Sequence, residues 1–391
     1  MTELERIITG RIRADGPMPF AAFMSLALYD PVHGYYARGP QRTGWRGHFL
    51  TSPELDPAFG MLWANAFRRV WAACGSPDAF EVVEVGPGEG GFAAAVLSAI
   101  TDPAIAGSSL DEPFRAALTY RLVERVPTLK ARQQELLTGV ARVEWSPSIT
   151  ELPTIEHGVV FANEVLDNLP VHLARLRAGN LVEVCVTAGT DGLELVDMEL
   201  SNPEIARWVE ETGTVPAEGS IVEVTLAAVS FIAHVGRRLR NGAIVLVDYG
   251  AAGPVLAERG GSLLAYSERG VDDDVLADLG ERDITAHANW TSVTNALESE
   301  GWTVEGPLDQ KTVLRGLGAR SIDAELREIH AVALDEGRGA DALNALSRRQ
   351  ALGALLDPAG LGGLQVVVGR HGIDAPLLSD PDAQRPAEAG L

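Results

Sequence analysis

The spacing of apolar residues changes character near residue 80. Before that point they cluster as on helices. Residues 1–30 read as two helices parted by Pro17 and Pro19, the second carried by Ala21-Ala22-Phe23-Met24-Ser25-Leu26-Ala27-Leu28. Residues 31–60 are rich in Gly and Pro yet hold aromatics that need burial, and 56–74 read as a helix after the turn Ser52-Pro53-Glu54. A structureless stretch of this length is usually functional or disordered, and its aromatics argue against disorder.

From residue 80 strands and helices alternate. Phe80-Glu81-Val82-Val83-Glu84-Val85 predicts a strand, followed by a glycine turn and a helix from Phe92. Leu118-Thr119-Tyr120-Arg121-Leu122-Val123 is a second strand, 127–137 a helix, and a short strand lies near Val143. Gly158-Val159-Val160-Phe161-Ala162 and Ala243-Ile244-Val245-Leu246-Val247 are near-continuous apolar runs, as parallel strands covered on both faces require. The pattern predicts an open α/β sheet.

Two stretches interrupt it. Within residues 171–225, the run from Leu173 to Leu200 alternates and turns at Gly-Asn and Asp-Gly, which predicts inserted antiparallel hairpins. Residues 251–290 form a second, Gly- and Asp-rich insertion. A helix at 291–300, strands at 310–315 and 364–369, and a helical stretch at 321–355 complete the reading. The expected organisation is a cap and covering loop at 1–78, a core at 79–371 carrying both insertions, and a disordered tail at 372–391, which has three prolines and no apolar period.

Composition narrows the function. Fifty-four acidic and 32 basic residues give a net charge of -22, a field that repels phosphate backbones and anionic lipid. Nucleic-acid and membrane-surface roles are therefore not expected, while a cationic partner would be favoured; a solvated acidic surface explains the charge equally. Cys74 and Cys185 make no disulfide framework, and no Cys/His cluster has the spacing of a zinc site. No signal or transit peptide pattern opens the chain and no apolar run reaches about 18 residues. The compartment expected is the bacterial cytoplasm.

Candidate chemistry sits at the strand ends. Glu84-Val85-Gly86-Pro87-Gly88-Glu89-Gly90-Gly91 joins a strand to a helix, where glycines let backbone N–H groups approach a ligand. The run also satisfies G-x-G-x-x-G, so a nicotinamide dinucleotide and S-adenosylmethionine both fit it. Glu84 favours the second, since a carboxylate would oppose a pyrophosphate but suits an amino group or a sulfonium. Glu124, ending the next strand, is placed to accept hydrogen bonds from both ribose hydroxyls. Trp145 reads either as an adenine wall or as a core tryptophan. After the fourth strand, Asn163, Glu164 and Asp167 lie where open α/β sheets hold ligands, unless they merely cap the next turn. Asp248 could serve the same edge or fix a turn.

In this order the motifs resemble the MidA-type family of S-adenosylmethionine-dependent methyltransferases, which includes a mitochondrial complex I assembly factor acting as a protein arginine methyltransferase. The resemblance covers roughly residues 15–371. It rests on Leu28-Tyr29-Asp30-Pro31, Gly34-Tyr35-Tyr36, Phe49-Leu50-Thr51-Ser52-Pro53-Glu54, Glu84-Val85-Gly86-Pro87-Gly88, Asn163-Glu164-Val165-Leu166-Asp167-Asn168-Leu169-Pro170, Val247-Asp248-Tyr249-Gly250 and Asp283-Ile284-Thr285-Ala286-His287. It implies a class I methyltransferase, Rossmann-like fold: a mostly parallel seven-stranded sheet with an N-terminal helical cap and inserted hairpins and loops. It also implies that Thr51, Ser52 and Glu54 close over the cofactor beside Gly86, Gly88 and Gly90. Three positions depart from the family pattern: His48, Leu264 and Asn289 stand where aspartate, arginine and aspartate are usual.

The resulting expectation is an S-adenosylmethionine-dependent methyltransferase acting on arginine nitrogen of a protein. Glu164 would orient the acceptor and take its proton, with Asp167 and Glu54 as second carboxylates and Asn163 holding acceptor or cofactor. Of His33, His48 and His287, the last is the best candidate base because it lies in a family motif. The alternatives are a small-molecule or other side-chain acceptor, or a non-catalytic assembly protein that keeps the cofactor fold. No metal is implied, and the sequence leaves the oligomeric state open.

Overall fold

The computed structural model describes residues 2–37, 52–101, 112–190, 192–267, 270–374 and 376–378, with Glu54 described by its backbone alone. The principal sheet has seven strands, numbered here in chain order: β1 Phe80–Val85, β2 Leu118–Val123, β3 Val143–Ser146, β4 Ile155–Asn163, β5 Leu239–Asp248, β6 Thr303–Asp309 and β7 Gln365–His371. They lie in the order β3-β2-β1-β4-β5-β7-β6. Strands β1 to β5 run parallel; β7 is antiparallel to both β5 and β6.

Alternation within each strand divides the core. Val82, Tyr120, Phe161, Val245 and Val366 face the helices Ala58–Ala73 and Gly91–Thr101. Val83, Val160, Ile244 and Val367 face the helices Leu226–Arg238 and Trp290–Ser299. The apolar runs read from the sequence are continuous because both faces are covered. On the first face Phe92 stacks on Phe161 at 4.5 Å, and Trp63 lies 5.0 Å from the same ring. Each such pair adds about 0.5–1.5 kcal/mol beyond its buried area. Phe92 opens the helix after the glycine turn, so this cluster pins the turn to the sheet.

Register sets the functional edge. Val85 is level with Val123 and Ala162, and Asn163 with Val247. Gly86, Glu124, Glu164 and Asp248 therefore leave the sheet side by side.

The 171–225 stretch forms the hairpins its alternation predicts: His172–Arg177, Asn180–Ala188, Leu193–Met198 and Ile221–Val224 make an antiparallel sheet. Its outer member is Met18–Pro19, paired with Val186 and Cys185. The N-terminal helices Glu3–Asp15 and Phe20–Tyr29 bury Leu4, Ile8, Phe20, Phe23 and Met24 against Leu173, Val184, Val186 and Ile284. Cap and insertions thus share one apolar cluster, seated beside the functional edge.

Some expectations need correction. Residues 310–315 are helical, within Gln310–Gly316, and the strand is the preceding Thr303–Asp309. That strand lies at the sheet edge with most side chains exposed, so it lacks an apolar signature, and Gly306-Pro307 interrupts its register. The stretch 171–225 also holds a helix, Glu204–Thr212, which buries Ile205, Trp208 and Val209. The 321–355 stretch is two helices, Ala319–Asp335 and Gly339–Leu355, broken at Gly337 and packed together. In the expected disordered tail, Ile373, Leu377 and Leu378 are buried. The Glu305 carboxylate there accepts hydrogen bonds from the N–H groups of Leu377 and Leu378. Among the described residues no helix is long and apolar enough to cross a membrane.

Candidate active site

Beyond the carboxyl ends of β1 and β4 lies a cavity of about 230 Å³. Its walls include Glu84, Gly86, Gly88 and Phe92 from the first strand and turn, and Asn163, Glu164, Asp167 and Asn168 after the fourth. Tyr249 just after β5, Tyr266, Asp283, Thr285 and His287 from the second insertion, and Tyr36 and Pro53 from the N-terminal part, close it.

The glycine turn needs glycine. Gly86 has φ 64°, and a Cβ there would stand 2.9 Å from Val165 Cγ2. A Cβ on Gly88 would meet nothing within 4 Å, so that backbone faces open space. Beside the turn Glu84 accepts a hydrogen bond from the Tyr120 hydroxyl at 2.7 Å. Burial nonetheless pushes its carboxyl up to about 8.

The loop after β4 is held from below. Asp248, fully buried at the end of β5, accepts through one oxygen the N–H groups of Val165 (3.1 Å), Leu166 (2.8 Å) and Asp167 (3.3 Å). Its other oxygen takes Tyr249 N–H at 2.8 Å. Of the two roles open to Asp248, the structure places it as the anchor of this loop; it does not line the cavity. The anchored loop carries Glu164 at φ 52°, a left-handed conformation costing about 1–3 kcal/mol for such a residue. Glu164 N–H bonds Val247 O at 2.8 Å, and Asn163 Nδ2 donates to the Glu164 carboxylate at 2.9 Å.

Acidic groups gather here. Asp167 is driven well above the ordinary carboxylate range by burial first, then by Asp248, Asp283 and Glu164. Among the described residues, Asp167 Oδ1 and Asn163 Oδ1 are buried acceptors with no donor. Asn168 orders the far wall: its amide donates to Asp283 Oδ1 at 2.9 Å, and its Oδ1 and carbonyl accept the hydroxyls of Tyr36 (2.9 Å) and Tyr29 (3.0 Å). His287 lies near-parallel to the Tyr249 ring at 6.5 Å. Burial, helped by Arg259, lowers its pKa, so its ring is neutral at physiological pH.

Of the residues singled out in the sequence, Glu84, Gly86, Gly88, Asn163, Glu164, Asp167 and His287 share this cavity. Gly90, Glu124 and Trp145 are not among its lining residues; Gln133 joins Glu124 and Trp145 to the carbonyl of Gly88 in the glycine turn. Ser52 is a correction: it is buried and bonded to Gln310 Nε2 at 3.1 Å, because the short helix Ser52–Leu55 turns it toward the sheet edge. Thr51, His48 and the side chain of Glu54 lie outside what is described. His33 is away from the cavity, its N–H held by Asp30. Asn289 caps the helix Trp290–Ser299, accepting from Ser292 N–H at 3.0 Å and donating to Thr214 at 2.8 Å. Sequence reasoning did not assign roles to Tyr36, Asn168, Tyr249 and Asp283, although each stands inside a quoted motif; Tyr266 and Gln133 carried no such signal.

Comparisons with known proteins agree with this geometry. Residues 62–308 match the model of a family of S-adenosyl-L-methionine-dependent methyltransferases. The mitochondrial protein arginine methyltransferase NDUFAF7 of Rattus norvegicus is 27% identical over 352 residues, covering 84% of this chain and 76% of its own. The Drosophila melanogaster homolog is 27% identical over 386 residues, 92% of this chain and 82% of its own. A crystal structure of a methyl transferase candidate from Burkholderia thailandensis, bound to S-adenosyl-homocysteine, superposes with a TM-score of 0.81 at 29% identity. It covers 97% of this chain and 94% of that one.

Proposed function

The chain belongs to this family of S-adenosyl-L-methionine-dependent methyltransferases, and from that premise we propose that it methylates the guanidinium of arginine in a protein. The observation that carries the proposal is the pair of buried acceptors without donors, Asn163 Oδ1 and Asp167 Oδ1. They sit in a cavity walled by Glu164, Asp167, Asp283 and three tyrosines, with no Lys or Arg among the described lining residues. Such a wall disfavours an anionic acceptor and exceeds what a neutral hydroxyl requires. A guanidinium supplies five donors and no acceptor, and tyrosine faces attract it further. The names of the relatives, protein arginine methyltransferases, support a protein as its bearer.

The residues also fit the cofactor. Open space over Gly88 gives the ligand access to the turn backbone. Glu84 would meet the amino end, Glu124 the ribose hydroxyls, and Asn163 either the amino end or the acceptor. Bound S-adenosylmethionine supplies an electrophilic methyl group on a sulfonium. The chain's own task is alignment, exclusion of water and proton removal. Arginine stays protonated at neutral pH and is a poor nucleophile. Glu164 would orient the guanidinium and localise its charge on the far nitrogens, so that the attacking nitrogen surrenders one proton as its bond to carbon forms. Glu164 would take that proton, and Asp167 would hold a second N–H. His287, whose ring is neutral and whose Nδ1 is buried without a partner, would be the second candidate to accept the proton.

The test uses labelled S-adenosylmethionine with a lysate of the source organism. The expected result is a labelled protein band that yields methylarginine on hydrolysis; label in a soluble metabolite, or in another amino acid, overturns the proposal. Glu164→Gln should abolish transfer while calorimetric binding of S-adenosylhomocysteine persists. Loss of that binding instead would move Glu164 to the cofactor site.

A further inference from the structure

The helix Pro127–Leu136 inverts the usual pattern, because its buried residue is polar. Gln133 is fully buried, and its amide joins three separate pieces of the sheet edge. Nε2 donates to the carbonyl of Gly88 at 2.7 Å and to Glu124 Oε2 at 3.1 Å. Its oxygen accepts from Trp145 Nε1 at 3.1 Å. Glu124 Oε1 is fixed separately, by Val126 N–H at 2.7 Å.

We infer that Gln133 is a positioning residue for the adenosine half of S-adenosylmethionine, holding the Glu124 carboxylate in plane for the ribose diol while bracing the glycine turn. The inference rests on the reading of Glu124 as the ribose carboxylate. An ionised carboxylate offers about four lone-pair directions. Val126 and Gln133 donate to one oxygen each and Arg125 N–H adds a third bond, which fixes the plane; what is left of the carboxylate's accepting capacity is what the ribose would meet. Burial works against this arrangement by favouring the protonated acid, whose O–H would occupy an acceptor site. Burial prevails and holds the Glu124 carboxyl above its ordinary value, while the donors Val126, Gln133 and Arg125 oppose that rise. A Met or Leu of similar size would fill the space but free Glu124 Oε2 and the Gly88 carbonyl. No donor pair of this geometry could come from glutamate.

The test compares binding of S-adenosylhomocysteine and its 2′-deoxyribosyl analogue by calorimetry on the full chain. Wild type should prefer the diol by about tenfold or more. Gln133→Met should weaken S-adenosylhomocysteine about tenfold and the deoxy analogue far less, collapsing that preference. Equal weakening of both ligands, or no weakening, overturns the inference. Glu124→Ala separates the underlying reading. If that variant keeps the diol preference, or wild type has none, the ribose assignment fails and the inference with it. If Glu124→Ala loses the preference but Gln133→Met keeps it, the inference alone fails. Should Gln133→Met not fold, Gln133→Glu carries the test. Two carboxylates about 3 Å apart share one proton, so this variant should bind S-adenosylhomocysteine progressively more weakly than wild type as pH rises from about 6 to 8. A pH profile parallel to wild type overturns the inference.

Discussion

Replacing Asp248 by alanine tests whether the buried carboxylate holds the loop that bears Glu164 and Asp167. The substitution strands four backbone N–H groups, those of Val165, Leu166, Asp167 and Tyr249, which Asp248 accepts at 2.8–3.3 Å. Hydrogen bonds to a charged group contribute about 1.5–3 kcal/mol each, and a stranded buried donor costs about 1–3 kcal/mol. These do not sum, since the loop can draw back and admit water, and removing the carboxylate also removes its own burial cost. A loss of about 3–5 kcal/mol remains, at the upper end of what single substitutions do. At roughly 1.2 °C per kcal/mol for a chain of 391 residues, the melting temperature should fall by about 4–6 °C. Asp248→Asn keeps an oxygen for the first three donors but turns an amide N–H toward that of Tyr249, for a loss of about 1–2 kcal/mol. Both are measured by thermal unfolding, followed by methyl transfer on the lysate acceptor. Because Asp248 stands outside the cavity, transfer should slow more than binding of S-adenosylhomocysteine weakens. Should the alanine variant melt within about 2 °C of wild type, the loop is held by other contacts, such as Ala286 N–H to the Asp167 carbonyl, and the reasoning is wrong.

Glu84 makes cofactor binding pH-dependent. Its carboxyl is raised to about 8 in the unliganded protein, and the ammonium of a bound ligand favours the ionised form. Affinity for S-adenosylhomocysteine should therefore rise from pH 6 to about 8 with proton release, then level off, and Glu84→Gln should flatten the profile. Calorimetry in buffers of different ionisation heat reads the released proton; heats independent of buffer would refute the assignment. Stability of the unliganded protein should run the opposite way. Glu84 and Asp248, with folded values of about 8 and about 7, hold protons that the unfolded chain releases near its ordinary carboxylate pKa. The melting temperature should thus be highest below that ordinary value and decline as pH rises through the window, levelling near 8. A melting temperature that climbs from pH 5 to 8 would contradict this. Asn289→Ala removes a helix cap and the Thr214 bond, and should cost about 1–2 kcal/mol in denaturant unfolding while leaving S-adenosylhomocysteine affinity unchanged. A change in affinity would show that Asn289 also acts on the binding site.

The sheet and its glycine turn were legible because their signals are local. Strands β4 and β5 announce themselves as near-continuous apolar runs, and Gly86 and Gly88 after β1 mark a backbone that must turn tightly at a strand end. Strand β6 escaped because an edge strand with exposed side chains needs no apolar pattern. Ser52 was misjudged for a related reason: a motif names a residue but not the direction of its side chain, and the helix Ser52–Leu55 turns this one toward Gln310. Asn289, a departure from the family pattern, proved to be a cap, where an amide can both accept and donate.

The α/β class, the family and the edge at which Glu84, Asn163, Glu164 and Asp167 collect follow from local pattern, since a strand's end fixes where the next residues emerge. How those residues are held is a matter of the folded chain. Asp248 reaches its loop across some 80 positions of chain, Gln133 ties Gly88 to Glu124 and Trp145, and Asn168 meets Asp283 across 115. Each of these bonds forms between segments that are neighbours only after the sheet has folded. A buried polar side chain takes its meaning from the partner that satisfies it, and no local spacing encodes that partner.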